Sequence, residues 1–144
     1  MKTIVVAVDF SPITPHLLLA LEAVANTESK VYLVHVAAPE PDFVGFGVGP
    51  QYIRDDRALE LREEHKQLGN YKTHLHKKGL DVEALLVSGP TVETILNEVE
   101  KLKADILVIG RKQHSSLYEL VMGSVCQDVL QKIKIPALLI PERD

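Results

Sequence analysis

The chain has 144 residues, the size of one ordinary domain, and a chain this long buries roughly two-thirds of its unfolded surface. Hydrophobic residues make up 46% and charged residues 25%, and 16 Lys+Arg against 20 Asp+Glu leave a formal net charge of -4, which argues against a general nucleic-acid binder. No apolar run approaches the ~20 residues of a membrane-spanning helix.

The opening Met1-Lys2-Thr3-Ile4-Val5-Val6 enters an apolar run without a small-residue cleavage site, so no signal peptide is expected. Cys126 is the single cysteine and has no partner for an internal disulfide, so the expected home is a reducing cytoplasm. Neither a membrane nor nucleic acid is an expected partner.

Five short runs rich in Val, Ile and Leu follow one another: Ile4 to Val8, Val31 to Val36, Val82 to Val87, Ile106 to Ile109, and Ala137 to Ile140. Most are near-continuous rather than alternating, as strands buried on both faces of a parallel sheet are. Segments with helical spacing lie between them. Thr14-Pro15 supplies an N-cap and a proline at the first helical position, with Leu17, Leu21 and Val24 along one face. Leu61, Leu68, Tyr71 and Leu75 line a longer helix that stops near Gly79. Val92, Ile95, Leu96, Val99 and Leu102, opened by Gly89-Pro90, give the cleanest amphipathic pattern, and Val125, Val129 and Ile133 mark the last helix. Strand and helix alternate four times before a closing strand. With right-handed crossovers this is an α/β fold: one domain over residues 1–144, built on a single open, doubly wound parallel sheet with helices on both faces. The stretch 38–52 is rich in Pro and Gly and reads as a long connection. Its Phe43, Val44, Phe46 and Val48 either cover a cleft or a partner, or tuck onto the domain.

In open parallel sheets a ligand binds beyond the carboxyl ends of the strands, where the strand order reverses. For the order 3-2-1-4-5 that point lies between the first strand, ending in Val8-Asp9, and the fourth, ending in Ile109-Gly110-Arg111. Asp9 either accepts hydrogen bonds from an adenine amino group or a ribose hydroxyl, or caps the following helix. Gly123-Ser124 opens the last helix, either as a phosphate seat or as a simple helix start. Several other sites are excluded. There is no G-x-x-x-x-G-K-[ST] loop, no G-x-G-x-x-G after the first strand and no G-x-S-x-G elbow. One cysteine and no convergent acid cluster make a metal site improbable.

The opening Ile4-Val5-Val6-Ala7-Val8-Asp9-Phe10-Ser11, then Val34-His35-Val36, Ala104-Asp105-Ile106-Leu107-Val108-Ile109-Gly110, Met122-Gly123-Ser124-Val125 and Ile135-Pro136-Ala137-Leu138-Leu139-Ile140 resemble the universal stress protein family over essentially the whole chain. Members of that family that bind ATP carry G-x2-G-x9-G-[ST]. Here Gly110 and Gly123-Ser124 fit that spacing, while Gln113 stands at the second glycine. A non-glycine residue costs roughly 1–2 kcal/mol in a left-handed conformation. Cys126 replaces a hydroxyl common in the family with a weaker thiol donor.

The resemblance implies that Ala7, Val8 and Asp9 line the adenosine and that Val36 meets adenine through its backbone. It places Gly110, Gly123, Ser124 and Val125 at ribose and phosphates, with Arg111, Gln113 and Cys126 beside them. The implied ligand is ATP or another adenine nucleotide, with or without Mg2+. The implied role is stress-response regulation or sensing. The implied assembly is a homodimer through the last strand, Ala137 to Ile140, with a regulated protein partner that the sequence does not name. No residue stands as a catalytic base for an attacking water, so any ATP hydrolysis is expected to be weak. Two alternatives stay open: a dimeric interaction protein of the same fold that binds no ATP, and a weak ATP hydrolase or phosphotransferase.

Overall fold

The computed structural model describes residues 2–9, 14–37, 51–111 and 125–141, with residues 51–60 and 111 described by backbone alone. In chain order the elements are β1 (Thr3–Ala7), α1 (Thr14–Val24), β2 (Lys30–Ala37), α2 (Gln51–Lys77), β3 (Asp81–Ser88), α3 (Thr91–Lys101), β4 (Ile106–Arg111), α4 (helical over 125–132) and β5 (Ala137–Pro141). All five strands run parallel in one sheet of order β3-β2-β1-β4-β5, as the alternation of apolar runs and helices predicts.

Side-chain alternation along the strands splits the core into two layers. Ile4, Val6 and Val8 point to one face, where they pack with Leu17 and Leu21 of α1 and Leu68 and Leu75 of α2. Val5 points the other way, against Ile95 and Val99 of α3 and Val129 of α4. The helical stripes expected from the sequence are therefore the ones buried, and both faces of the sheet are covered. The outer strands are wetter: Asp81 and Glu83 of β3 and Leu139 of β5 are exposed.

Two helices end in the same closure on opposite faces. After α2, Leu80 N–H donates to the Leu75 carbonyl and Gly79 N–H to that of His76, with Gly79 at φ +88°. After α3, Ala104 N–H donates to the Val99 carbonyl and Lys103 N–H to that of Glu100, with Lys103 at φ +54°. Both are six-to-one Schellman closures that satisfy otherwise orphaned carbonyls. Leu80 and Ala104 each then bury against the layer their helix packs on.

Two boundaries differ from the sequence expectation. The longer helix, whose apolar face starts at Leu61, begins at Gln51, so Gln51 and Tyr52 are helical rather than the end of the connection. The run from Gln51 to Leu68 contains neither Gly nor Pro, so no residue in it breaks a helix that starts ahead of the apolar stripe. β1 stops at Ala7, one residue before Val8, because its last strand pair is Ala7 with Val34 of β2.

Candidate functional site

The amino ends of β1 and β4 are clamped together. Thr3 N–H donates to Asp105 Oδ2 and Asp105 N–H to the Thr3 carbonyl, each at 2.8 Å. The two strands then pair at Ile4–Ile106, Val5–Leu107 and Val6–Val108, where their shared ladder ends. Beyond that point each strand bonds outward. Ala7 pairs with Val34, and Val8 N–H donates to the Val34 carbonyl at 2.8 Å. Ile109, Gly110 and Arg111 pair with Leu139, Ile140 and Pro141 of β5. The shared ladder therefore ends at the reversal of strand order, where open parallel sheets have their ligand crevice.

Val8 is buried on the β1 side of this crevice, Ala7 is half-buried and Asp9 is exposed at its mouth. α1 begins five residues after Asp9. Gly110 lies half-buried on the β4 side, followed by Arg111 as described by its backbone. Val125 and Cys126 of α4 are half-buried and pack on the layer formed by Ile95, Val99 and Val129. Val36, half-buried near the end of β2, shares that face of the sheet. Gln113, Gly123 and Ser124 lie outside the described residues, as do Phe43, Val44, Phe46 and Val48.

One further group, not among the site residues expected from the sequence, lies beside Val8. His35 of β2 is buried, and its Nδ1 lies 2.7 Å from the Val8 carbonyl oxygen. A carbonyl only accepts, so Nδ1 carries the hydrogen and donates it. On the other side of the ring, Nε2 lies 3.4 Å from Glu64 Oε2 of α2. A lone His in the otherwise apolar run Val31 to Val36 is the sequence signal for such a contact. Its target, 27 residues away, depends on where the β1 ladder stops.

A model of the universal stress protein family matches residues 1–141. The chain belongs to the universal stress protein family. Among its relatives, universal stress protein YxiE of Bacillus subtilis (strain 168) is 28% identical over 120 residues, 83% of this chain and 72% of that one. A universal stress protein of Thermus aquaticus is 28% identical over 140 residues, 96% of this chain and 98% of that one. The solved structure of MJ0577, a universal stress protein of Methanocaldococcus jannaschii, superposes with a TM-score of 0.79 at 26% identity, covering 99% of this chain and 97% of that one.

Three universal stress proteins that share the fold have been solved with nucleotides. One holds cAMP (TM-score 0.71, 20% identity, 97% of this chain and 96% of that one). One from Archaeoglobus fulgidus holds dAMP (0.66, 23%, 97% and 98%). One from Arabidopsis thaliana holds AMP (0.71, 20%, 99% and 93%). No described helix of this universal stress protein is long and apolar enough to cross a membrane.

Proposed function

We propose that the chain binds an adenine nucleotide in the crevice between β1 and β4 and acts as a nucleotide-responsive regulatory module rather than as a catalyst. The observation that carries this reading is the early end of the β1–β4 ladder at Val6–Val108, while both strands continue to bond outward. The nucleoside half of such a ligand fits what lines the crevice. Buried Val8 and half-buried Ala7 supply apolar wall, Asp9 supplies an acceptor for a ribose hydroxyl or an adenine amino group, and Val36 supplies backbone groups for the base. Gly110, Gly123, Ser124 and Val125 would hold ribose and phosphates, with Arg111 beside them and Mg2+ shielding a triphosphate. That relatives of this fold hold AMP, dAMP or cAMP supports an adenine ligand here.

The module acts as a homodimer in this reading. β5 is a short sheet edge preceded by Pro136 and ending in Pro141, and its Leu139 is exposed, a strand that natural proteins cover by pairing. Gln113 favours one alternative, an interaction protein that has lost ATP, because the pattern calls for glycine there.

Mass analysis of small molecules released from the denatured, freshly purified protein, together with a thermal scan, decides between the two. A ligand at about 100 times its Kd adds about 2.7 kcal/mol by mass action, a shift on the order of several degrees for a chain of this size. Asp9→Ala should reduce that shift. If no nucleotide co-purifies and saturating AMP, ADP and ATP leave Tm unchanged, nucleotide binding fails and the interaction-protein reading replaces it.

A further inference from the structure

We propose that His35 is a positioning residue that holds the backbone of Val36 open to the adenine base; the inference rests on the nucleotide reading above. Along a parallel ladder, alternate residues turn their N–H and C=O toward a given neighbour. Val34 faces β1, since its carbonyl accepts the Val8 N–H at 2.8 Å. Val36, two residues on, faces the same way. The next regular rung would send the Val36 N–H to the Val8 carbonyl. That carbonyl instead accepts the His35 Nδ1–H at 2.7 Å, and no backbone hydrogen bond joins Val36 to Val8.

A side chain has replaced the rung. Alternation puts His35 on the face covered by α1 and α2, where Glu64 of α2 lies 3.4 Å from its Nε2. The imidazole thus draws the Val8 carbonyl toward α2, out of line with Val36. This satisfies a buried carbonyl that the broken ladder would otherwise leave wanting. It also leaves the Val36 N–H turned toward the crevice, on the same side of the strand as the Val36 carbonyl. The base edge of adenine offers the complement, an amino donor beside a ring-nitrogen acceptor, whereas hypoxanthine reverses both roles. His35 therefore governs the choice of base without touching it.

The test uses the full chain, His35→Leu to remove the donor, and His35→Asn to keep an N–H close to the Nδ1 position. Amide hydrogen exchange by NMR follows Val36 without ligand, and calorimetry measures AMP and IMP. In the wild type the Val36 amide exchanges faster than that of Val34 and becomes protected by AMP. His35→Leu lets the rung close, so Val36 is protected without ligand. Affinity for AMP then falls about tenfold, as expected for the loss of one hydrogen bond, while that for IMP holds. His35→Asn restores both wild-type behaviours.

A Val36 amide already protected in the wild type, or unmoved by His35→Leu, overturns the role of His35. Equal losses for AMP and IMP do the same, because they mark a merely structural residue. A wild type that binds neither ligand overturns the nucleotide reading and the base-selecting role with it. Should His35→Leu not fold, His35→Gln replaces it, since its amide reaches toward Glu64 rather than Val8 and should behave as the loss variant.

Discussion

Gly89, in the turn between β3 and α3, is the position where a single methyl group is most informative. Its φ of +148° is one that residues with a side chain rarely adopt, and a Cβ built there would sit 2.5 Å from Thr94 Oγ1. Thr94 cannot easily yield: it is buried, and its N–H donates to the Pro90 carbonyl at 2.9 Å. Gly89→Ala therefore meets two separate penalties. Backbone strain costs about 1–3 kcal/mol and overpacking about 1–3 kcal/mol, for a total of about 2–6 kcal/mol. Thr94→Ala removes Oγ1 and leaves only Cβ, 3.8 Å from the new methyl, so it relieves the overlap without touching the backbone strain.

A double-mutant cycle by urea unfolding at fixed protein concentration should then give a favourable coupling of about 1–3 kcal/mol. Additivity of the two substitutions to within about 0.5 kcal/mol would show that Thr94 is not the obstacle. A cost for Gly89→Ala below about 1 kcal/mol would refute the backbone argument as well. Because the Gly89 N–H donates to the Ala37 carbonyl at 3.2 Å, the substitution also loosens the end of β2 beside Val36.

Lys30 donates to Asp81 Oδ1 at 2.9 Å and lies 3.6 Å from Glu83 Oε1; that hydrogen bond and the attraction of both carboxylates, set against desolvation by burial, hold its pKa above the ordinary lysine value of 10.5. A folded-state pKa that is raised gives stability fully present below the unfolded value and lost as pH rises through the folded one. Lys30→Met should thus flatten the alkaline limb of stability against pH, while costing under about 1 kcal/mol near neutrality because Asp81 is largely exposed; parallel limbs would contradict this. At the helix ends, Lys103→Gly should stabilise by up to about 1 kcal/mol and Gly79→Ala should destabilise by about 1–2 kcal/mol in urea titrations, since both residues sit at positive φ and nothing crowds the Gly79 site. Leu139→Lys should shift sedimentation toward monomer if β5 pairs across a two-fold axis, and a wild type that is monomeric at every concentration would refute the dimer.

The strands were readable because a central parallel sheet demands apolar side chains on both faces, and Ile4 to Val6 and Leu107 to Ile109 meet that demand without interruption. The stripes of α1 and α3 were readable for the matching reason, one face buried and one wet. The start of α2 was not, because Gln51 to Glu60 lie ahead of the stripe Leu61, Leu68, Tyr71 and Leu75 that marks the helix in the sequence. The reversal of strand order between β1 and β4 was legible, because the alternation of strands and helices sets it. The point where the β1–β4 ladder ends was not, because it is a property of register. The same holds for His35. Nothing local distinguishes an imidazole that fills a core from one that replaces a sheet hydrogen bond.

The paired Schellman closures give the molecule a working polarity for the experimenter. α2 returns to β3 across Lys78-Gly79-Leu80 and α3 returns to β4 across Leu102 to Asp105, each fixed by backbone bonds and an anchoring apolar residue. On the opposite side, thirteen residues separate Ala37 from Gln51. Dyes, affinity tags and inserted reporter segments introduced at Gly79 or Lys103 must dismantle a closure and shift a core strand. Circular permutants cut there should fail, whereas those cut within 38–50 leave both closures whole. The returns at the amino ends of β3 and β4 act as a fixture, opposite the end where the ligand is expected.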